Sequence, residues 1–158
     1  MPILLLPDLN PLLKPGQRLL GLDLGEKTIG IALSDTTRSI ATPLQTLKRG
    51  RFKIDAQILA TLIAEHDIGG LIVGLPLNMD GSDGPSAQSA RAFARNFAGI
   101  SDCALVLVDE RLSTAAVTRT LIDADASRRR RGQVVDKMAA AYILQGALDQ
   151  LRGLSNPA

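Results

Sequence analysis

Three short, almost uninterrupted aliphatic runs constrain this chain more than any other feature: Leu19-Leu20-Gly21-Leu22, Leu71-Ile72-Val73 and Ala104-Leu105-Val106-Leu107-Val108. A strand that is apolar on both sides has no solvent face, so it must be covered on both. Runs this short, bounded by turn residues, read as buried strands and not as helices. Helical periodicity lies between them. Ile54, Ile58, Leu59, Leu62 and Ile63 line one side of a helix predicted from about Lys53 to His66. Pro85 suits the first position of another, with Ala90, Phe93, Ala94 and Phe97 on its core face. Two further strands, Thr28 to Leu33 and Ala41 to Leu47, follow the first closely, and Pro43 places the second at a sheet edge. Ser113-Thr114 caps a helix predicted to about Asp123, a basic loop follows, and a last helix runs from about Val134 to Leu151. The order βββαβαβα predicts an α/β sheet in which a meander leads into right-handed crossovers.

At 158 residues the chain is long enough for one well-formed core. A single domain is predicted over residues 18–152. Residues 1–17 are expected to form a leader, partly ordered and outside the regular fold, because Pro2, Pro7, Pro11 and Pro15 interrupt it. Residues 153–158 form a short tail. No apolar stretch could span a bilayer. The leucines near Met1 lack the basic flank of a signal peptide, so a cytoplasmic location is expected.

Composition removes most chemistries. With one histidine (His66) and one cysteine (Cys103), neither a Cys/His zinc site nor a disulfide framework can be built. His66 near a helix end reads as a surface residue. The chain holds three Phe, one Tyr and no Trp, so stacking of bases on exposed aromatics is not its mode of binding. Carboxylates and hydroxyls remain, and these suit hard cations such as Mg²⁺ or Mn²⁺.

Acidic residues stand where apolar sequence gives way to polar sequence. Asp23 ends the first run, and the pair Asp109-Glu110 ends the run from Ala104. Neighbours on a strand point to opposite sides, and periodicity alone does not choose between Asp109 and Glu110. Asp136 is followed three, four, seven, eight, eleven and twelve residues later by Ala139, Ala140, Ile143, Leu144, Ala147 and Leu148. On a helix these share one face, and Asp136 heads it. A carboxylate at a helix start also complements the helix dipole, but that role favours a solvent-facing position. Buried acids are rarely left unpaired, and three converging at one end of a core point to a divalent-metal site.

Four segments resemble the bacterial YqgF family of RNase H-like nucleases. They are Gly21-Leu22-Asp23-Leu24-Gly25 with Ile29-Gly30-Ile31-Ala32; Val73-Gly74-Leu75-Pro76-Leu77-Asn78-Met79-Asp80-Gly81; Asp109-Glu110-Arg111-Leu112-Ser113-Thr114; and Val135-Asp136 with Ala139-Ala140 and Ile143-Leu144-Gln145. Members of that family are described as Holliday junction resolvases or as nucleases processing the 5′ end of pre-16S rRNA. The resemblance implies a ribonuclease H-like fold with a five-stranded mixed sheet, order 3-2-1-4-5, and helices on both faces. It assigns metal binding and catalysis to Asp23, Glu110 and Asp136, with Asp109 in a supporting role.

The expected function is therefore a Mg²⁺- or Mn²⁺-dependent endonuclease acting on structured RNA, with pre-rRNA favoured and branched DNA as the alternative substrate. Gly25 and Gly30 would let phosphate or backbone approach, although ordinary turn and strand packing explains them equally. Asn78, Met79 and Asp80 lie on a loop beside the expected cleft, where substrate contact and simple loop turning explain them equally, and Ser113 and Thr114 are read first as a helix cap and then as phosphate contacts. Arg128, Arg129, Arg130 and Arg131 form a basic run ahead of Asp136, suited to phosphate contacts that carry affinity without sequence specificity. Two other classes compete. A non-catalytic RNase H-like binding module would not need all three carboxylates. A sugar-kinase or actin-type phosphotransferase closes two domains over ATP, and this chain is too short for that.

Overall fold

The computed structural model describes residues 3–112 and 128–155, the side chains of residues 112, 128–136 and 155 excepted. Its elements are β1 (Ile3–Leu4), α1 (Leu6–Leu9), β2 (Arg18–Leu24), β3 (Thr28–Ser34), β4 (Ala41–Lys48), α2 (Phe52–Glu65), β5 (Ile68–Leu75), α3 (Pro85–Ala98), β6 (Ala104–Asp109) and α4 (Arg128–Ser155). One mixed sheet runs β1-β6-β5-β2-β3-β4. The pairs β2–β5, β5–β6 and β1–β6 are parallel, and β2–β3 and β3–β4 are antiparallel. The five predicted strands thus take the predicted order, and β1 adds a sixth at the edge.

Alternation along the buried strands divides the core into two layers. Leu20, Leu22 and Leu24 of β2 and Leu71, Val73 and Leu75 of β5 face α2 and α3, where they meet Leu59, Phe93 and Phe97. Leu19 of β2, Ile72 of β5 and Val106 of β6 face α4, meeting Ala140, Ile143, Leu144 and Leu148. The sheet is therefore sandwiched between α2 and α3 on one side and α4 on the other. The edge strand β4 is half-exposed and carries Pro43 opposite Ala32 at a register shift, where a missing N–H does least harm. Gln145 of α4 holds this edge down: its amide donates to the Ser39 carbonyl at 2.9 Å, and its oxygen accepts from the Ala41 N–H at 2.9 Å.

Two expectations are corrected. The N-terminal leader is not outside the regular fold. Ile3–Leu4 pairs with Leu105 and Val106, and Leu6 and Leu9 are buried in the α4-side core. The prolines do not prevent this, because Pro7 sits in the first turn of α1 and Pro11 in the first turn of the 3₁₀ helix Asn10–Leu12. Those are the positions where a missing N–H is harmless. The second correction concerns Arg128 to Arg131, expected in a loop, whose backbone begins α4. Arginine propagates helices well, and a basic run at a helix start opposes only the dipole. The helix expected from Ser113 to Asp123 lies outside the described residues.

Leu9 is fully buried and its methyl lies against Gly70, where an added Cβ would meet it at 2.9 Å. Burial of such a side chain contributes about 1.5–3 kcal/mol, and truncating it costs about 2–5 kcal/mol. Leu9→Ala is expected to lower the melting temperature by on the order of 10 °C, and deletion of residues 1–15 by at least as much. An unchanged thermal transition in both variants would show that the leader adds nothing to the core.

Candidate active site

The C-terminal ends of β2, β5 and β6 meet at one end of the sheet. β2 carries Asp23 there, opposite Gly30 of β3. β2 and β5 pair at Leu22 and Val73, so the register places Asp23 beside Gly74, which itself pairs with Val108 of β6. Odd-numbered β2 residues face α4, because Leu19 does and Gly21 touches α4 directly. Asp23 therefore projects to the α4 side, and it is 4% exposed.

β6 ends in a 3₁₀ turn, Glu110–Leu112. Val106 and Val108 pack on the α4 side, and Glu110 continues their parity. It too is 4% exposed, and its Oε2 lies 3.6 Å from where a Gly74 Cβ would stand. Asp109 goes elsewhere. Its carboxylate accepts from Arg111 Nε at 3.1 Å, Nη2 at 2.7 Å and the Arg111 N–H at 3.0 Å. The side-chain bond from Arg111 holds the Asp109 pKa below the usual carboxylate range. Geometry thus separates the neighbours: Glu110 is buried toward α4 with Asp23, while Asp109 is engaged in an ion pair.

Asp136 lies on α4, three and four residues ahead of the buried Ala139 and Ala140, and its side chain lies outside the described residues. Among the described residues no group of three His, Cys, Asp or Glu converges as a metal cluster. What the described part of the site supplies is two buried oxygen-donor side chains on either side of β5, one at the end of β2 and one in the turn that follows β6, on the face that α4 covers. A hard divalent cation fits that donor set.

Two glycines let α4 approach. A Cβ on Gly21 would stand 2.7 Å from the Leu144 Cβ and 2.9 Å from the Ala140 carbonyl oxygen. A Cβ on Gly74 would stand 2.5 Å from the Ile143 Cδ1. Both glycines lie in the segments that carry the family resemblance, and the structure gives them a packing role. An isolated glycine inside a buried strand is the signal that marks such a contact.

The other predicted positions divide. Gly25 closes the β2–β3 turn through its N–H to the Thr28 carbonyl, and its own carbonyl accepts from Arg49 Nη1 at 2.7 Å. Asn78 is exposed on the loop between β5 and α3 and uses its side chain on Ser82 Oγ. That loop is tied to the β6 end by Arg111 Nη1, which donates to the Met79 carbonyl at 3.2 Å. Arg111 as a strut, and Arg49, were not singled out from sequence. Ser113 and Thr114 lie outside the described residues, as do the side chains of Arg128, Arg129, Arg130 and Arg131. His66 caps α2 just before β5 begins, at the far end of the sheet. Burial pushes the Cys103 thiol up to about 11, so it carries no thiolate at neutral pH.

A family model named RuvX and described as Holliday junction resolvase matches residues 17–150. A protein of Paramagnetospirillum magneticum named "Putative pre-16S rRNA nuclease" is 56% identical over 155 residues, 98% of this chain and 100% of that one. A protein of the same name from Methylocella silvestris is 59% identical over 150 residues, 95% of this chain and 93% of the other. Among solved structures, the yeast mitochondrial Holliday junction resolvase Ydc2 superposes with a TM-score of 0.54 at 14% identity, covering 95% of this chain and 85% of its own. T. thermophilus RuvC in complex with a Holliday junction superposes with a TM-score of 0.52 at 12% identity, covering 87% and 97%. Ribonuclease H-like resolvases therefore share the fold.

The two close glycine contacts differ in what they can yield. At Gly21 the obstacle is backbone and a Cβ, whereas at Gly74 it is the mobile end of Ile143. Gly21→Ala is expected to destabilise by about 1–3 kcal/mol or more. Gly74→Ala should cost less and be largely relieved by adding Ile143→Val, which removes the offending methyl. Chemical denaturation of the three variants checks this. Equal, unrelieved losses would mean that α4 is not held at these points.

Proposed function

The chain belongs to the RuvX family, and from that premise we propose that it is a divalent-metal-dependent endonuclease that processes structured RNA, with the 5′ end of pre-16S rRNA as its substrate. One observation carries the reading: Asp23 and Glu110 are both buried on the α4 side at one end of the sheet, next to the helix that bears Asp136. The names of the relatives favour RNA. The description of the family model favours a second reading, cleavage of branched DNA, and both reactions hydrolyse a phosphodiester.

Asp23, Glu110 and Asp136 would hold Mg²⁺ or Mn²⁺. When bound, such ions activate water and neutralise charge on the attacking and leaving oxygens. The chain's own part is positional. The end of β2 and the 3₁₀ turn after β6 hold two carboxylates on the α4 side, and α4, seated on the glycine contacts, would bring the third. Arg111, neutralised by Asp109, braces the loop at Asn78 and Met79, so that the substrate meets a preformed rim. Arg128, Arg129, Arg130 and Arg131, along with Gly25, Asn78, Ser113 and Thr114, would contact substrate phosphates. Among the described residues no helix is long and apolar enough to cross a membrane, and the proposed place of action is the cytoplasm.

Asp23→Asn, Glu110→Gln and Asp136→Asn are each expected to abolish cleavage of a pre-rRNA leader and of a four-way DNA junction while leaving the melting temperature intact. Asp109→Asn should retain more activity than Glu110→Gln. Full activity in any of the first three removes that residue from the site, and the reverse ranking of the neighbours overturns the assignment at β6.

Replacing Arg128 to Arg131 with Ala should weaken binding and reduce the slope of log K against log salt, by up to about 3.6 if all four meet duplex phosphates. An unchanged affinity and slope would reduce the run to a solvated helix start.

A further inference from the structure

Next to the carboxylate end of the sheet, but on its other side, lies a cavity of about 500 Å³. It is lined by Leu24, Gly25, Glu26, Arg49, Ser86 and Ser89. Leu24 and Gly25 directly follow Asp23, so the cavity opens one and two residues from the proposed metal site. Arg49 is half-buried. Its Nη1 donates to the Gly25 carbonyl at 2.7 Å and its Nη2 to Ser89 Oγ of α3 at 3.1 Å. The guanidinium thus bridges the β2–β3 turn to α3.

Arginine has five N–H donors in a planar fork, and these two bonds leave several for another acceptor. Among the described residues no carboxylate forms an ion pair with Arg49. Glu26 lines the same cavity without reaching it. The buried Asp55 lines the adjoining cavity with Arg49 but spends its carboxylate on the Gly50 N–H and stays beyond ion-pair distance, so the half-buried guanidinium, held at two points, is poised for an anion. The donors around it are the hydroxyls of Ser86 and Ser89; Pro85, which opens α3 and also lines the cavity, offers no N–H, and the helix start has no side-chain cap. Guanidinium forks match phosphate geometry in particular.

We propose that Arg49 is a positioning residue that grips one phosphodiester of the substrate strand beside the scissile bond, within this cavity. The inference rests on the nuclease reading and deepens it. Asp23 lies on the α4 side of β2 and the cavity on the α3 side of the turn that follows. A strand crossing the sheet end would meet the carboxylates with one phosphate and Arg49 with a neighbour. Anchoring that neighbour fixes the register of the bond to be cut, which is where orientation contributes to rate.

The test uses the full chain and two probes, a pre-rRNA leader RNA and a four-way DNA junction. Binding is measured in Ca²⁺ across a salt series, and cleavage in Mg²⁺. Arg49→Gln should fold, weaken binding, and reduce the salt slope by about 0.7 to 0.9, the equivalent of one phosphate. Arg49→Lys should keep most of that slope while cleaving more slowly or at shifted positions. Substrates carrying single neutral methylphosphonates near the cut site then locate the contact. One position should weaken wild type several-fold yet leave Arg49→Gln unaffected, a coupling that a purely structural bridge would not produce. Ser89→Ala, which leaves the cation in place, guards against a folding artefact and should preserve the coupling. Binding by Arg49→Gln with wild-type affinity and slope, or methylphosphonate losses equal in both proteins, overturns the inference. Binding without cleavage by wild type would sink the nuclease reading alone, and binding of neither probe would sink both.

Discussion

Everything at the proposed site depends on how closely α4 lies on the sheet. The helix carries one carboxylate and the strands carry two, so the spacing between layers sets the spacing between acids. Helices usually rest on sheets through side chains from both partners. Here Gly21 and Gly74 remove the sheet's contribution at two points, and Leu144, Ala140 and Ile143 fill the vacated space. Gly21 precedes Asp23 by two residues and Gly74 adjoins Glu110, so the close approach occurs where the acids stand. Interiors are packed to crystal-like density, and a layer seated this way has little freedom to drift.

The strands' alternation converts that seating into chemistry. In β2 the even residues Leu20, Leu22 and Leu24 secure α2 and α3, while the odd side offers Leu19, Gly21 and then Asp23 to α4. In β6 the even residues Ala104 and Val106 face α4, and Glu110 follows their parity. The same rule that buries leucines thus delivers Asp23 to the α4 side, and Glu110, first residue of the 3₁₀ turn that ends β6, reaches the same side against Gly74. Asp109 falls on the other parity, and Arg111 takes it up.

Much of this was legible in the sequence because it rests on period. The five central strands, the edge position marked by Pro43 and the core faces of α2 and α3 all follow from spacing, and the structure has them in the expected order. The leader was not legible. A strand of two residues and a helix of four carry no period, and their prolines read as breakers when they are in fact helix starters. The docking of Leu9 is a tertiary fact about space left over Gly70, and Leu6 joins the same core cluster. The start of α4 is not legible for a related reason, since four arginines look like solvated loop unless something beyond propensity decides. Arg49 was invisible because its significance lies in Gly25 and Ser89, 24 and 40 residues away.

The order Asp109-Glu110-Arg111 has a logic of its own. A metal-binding carboxylate one residue from a guanidinium risks capture by it, since an arginine–carboxylate fork is itself a strong pair. Asp109 prevents this by engaging Nε and Nη2 of Arg111 together. The remaining nitrogen reaches the carbonyls of Asn78 and Met79. Arg111 is thereby neutralised and turned into a strut for the neighbouring loop, while Glu110 lies buried against Gly74 on the α4 side. Removing Asp109 would therefore act on Glu110 indirectly, by freeing a competing cation. Removing Glu110 would take away the proposed ligand itself. For the proposed metal site, the ion pair is what allows an acid and a base to be chain neighbours and still serve different faces of the sheet.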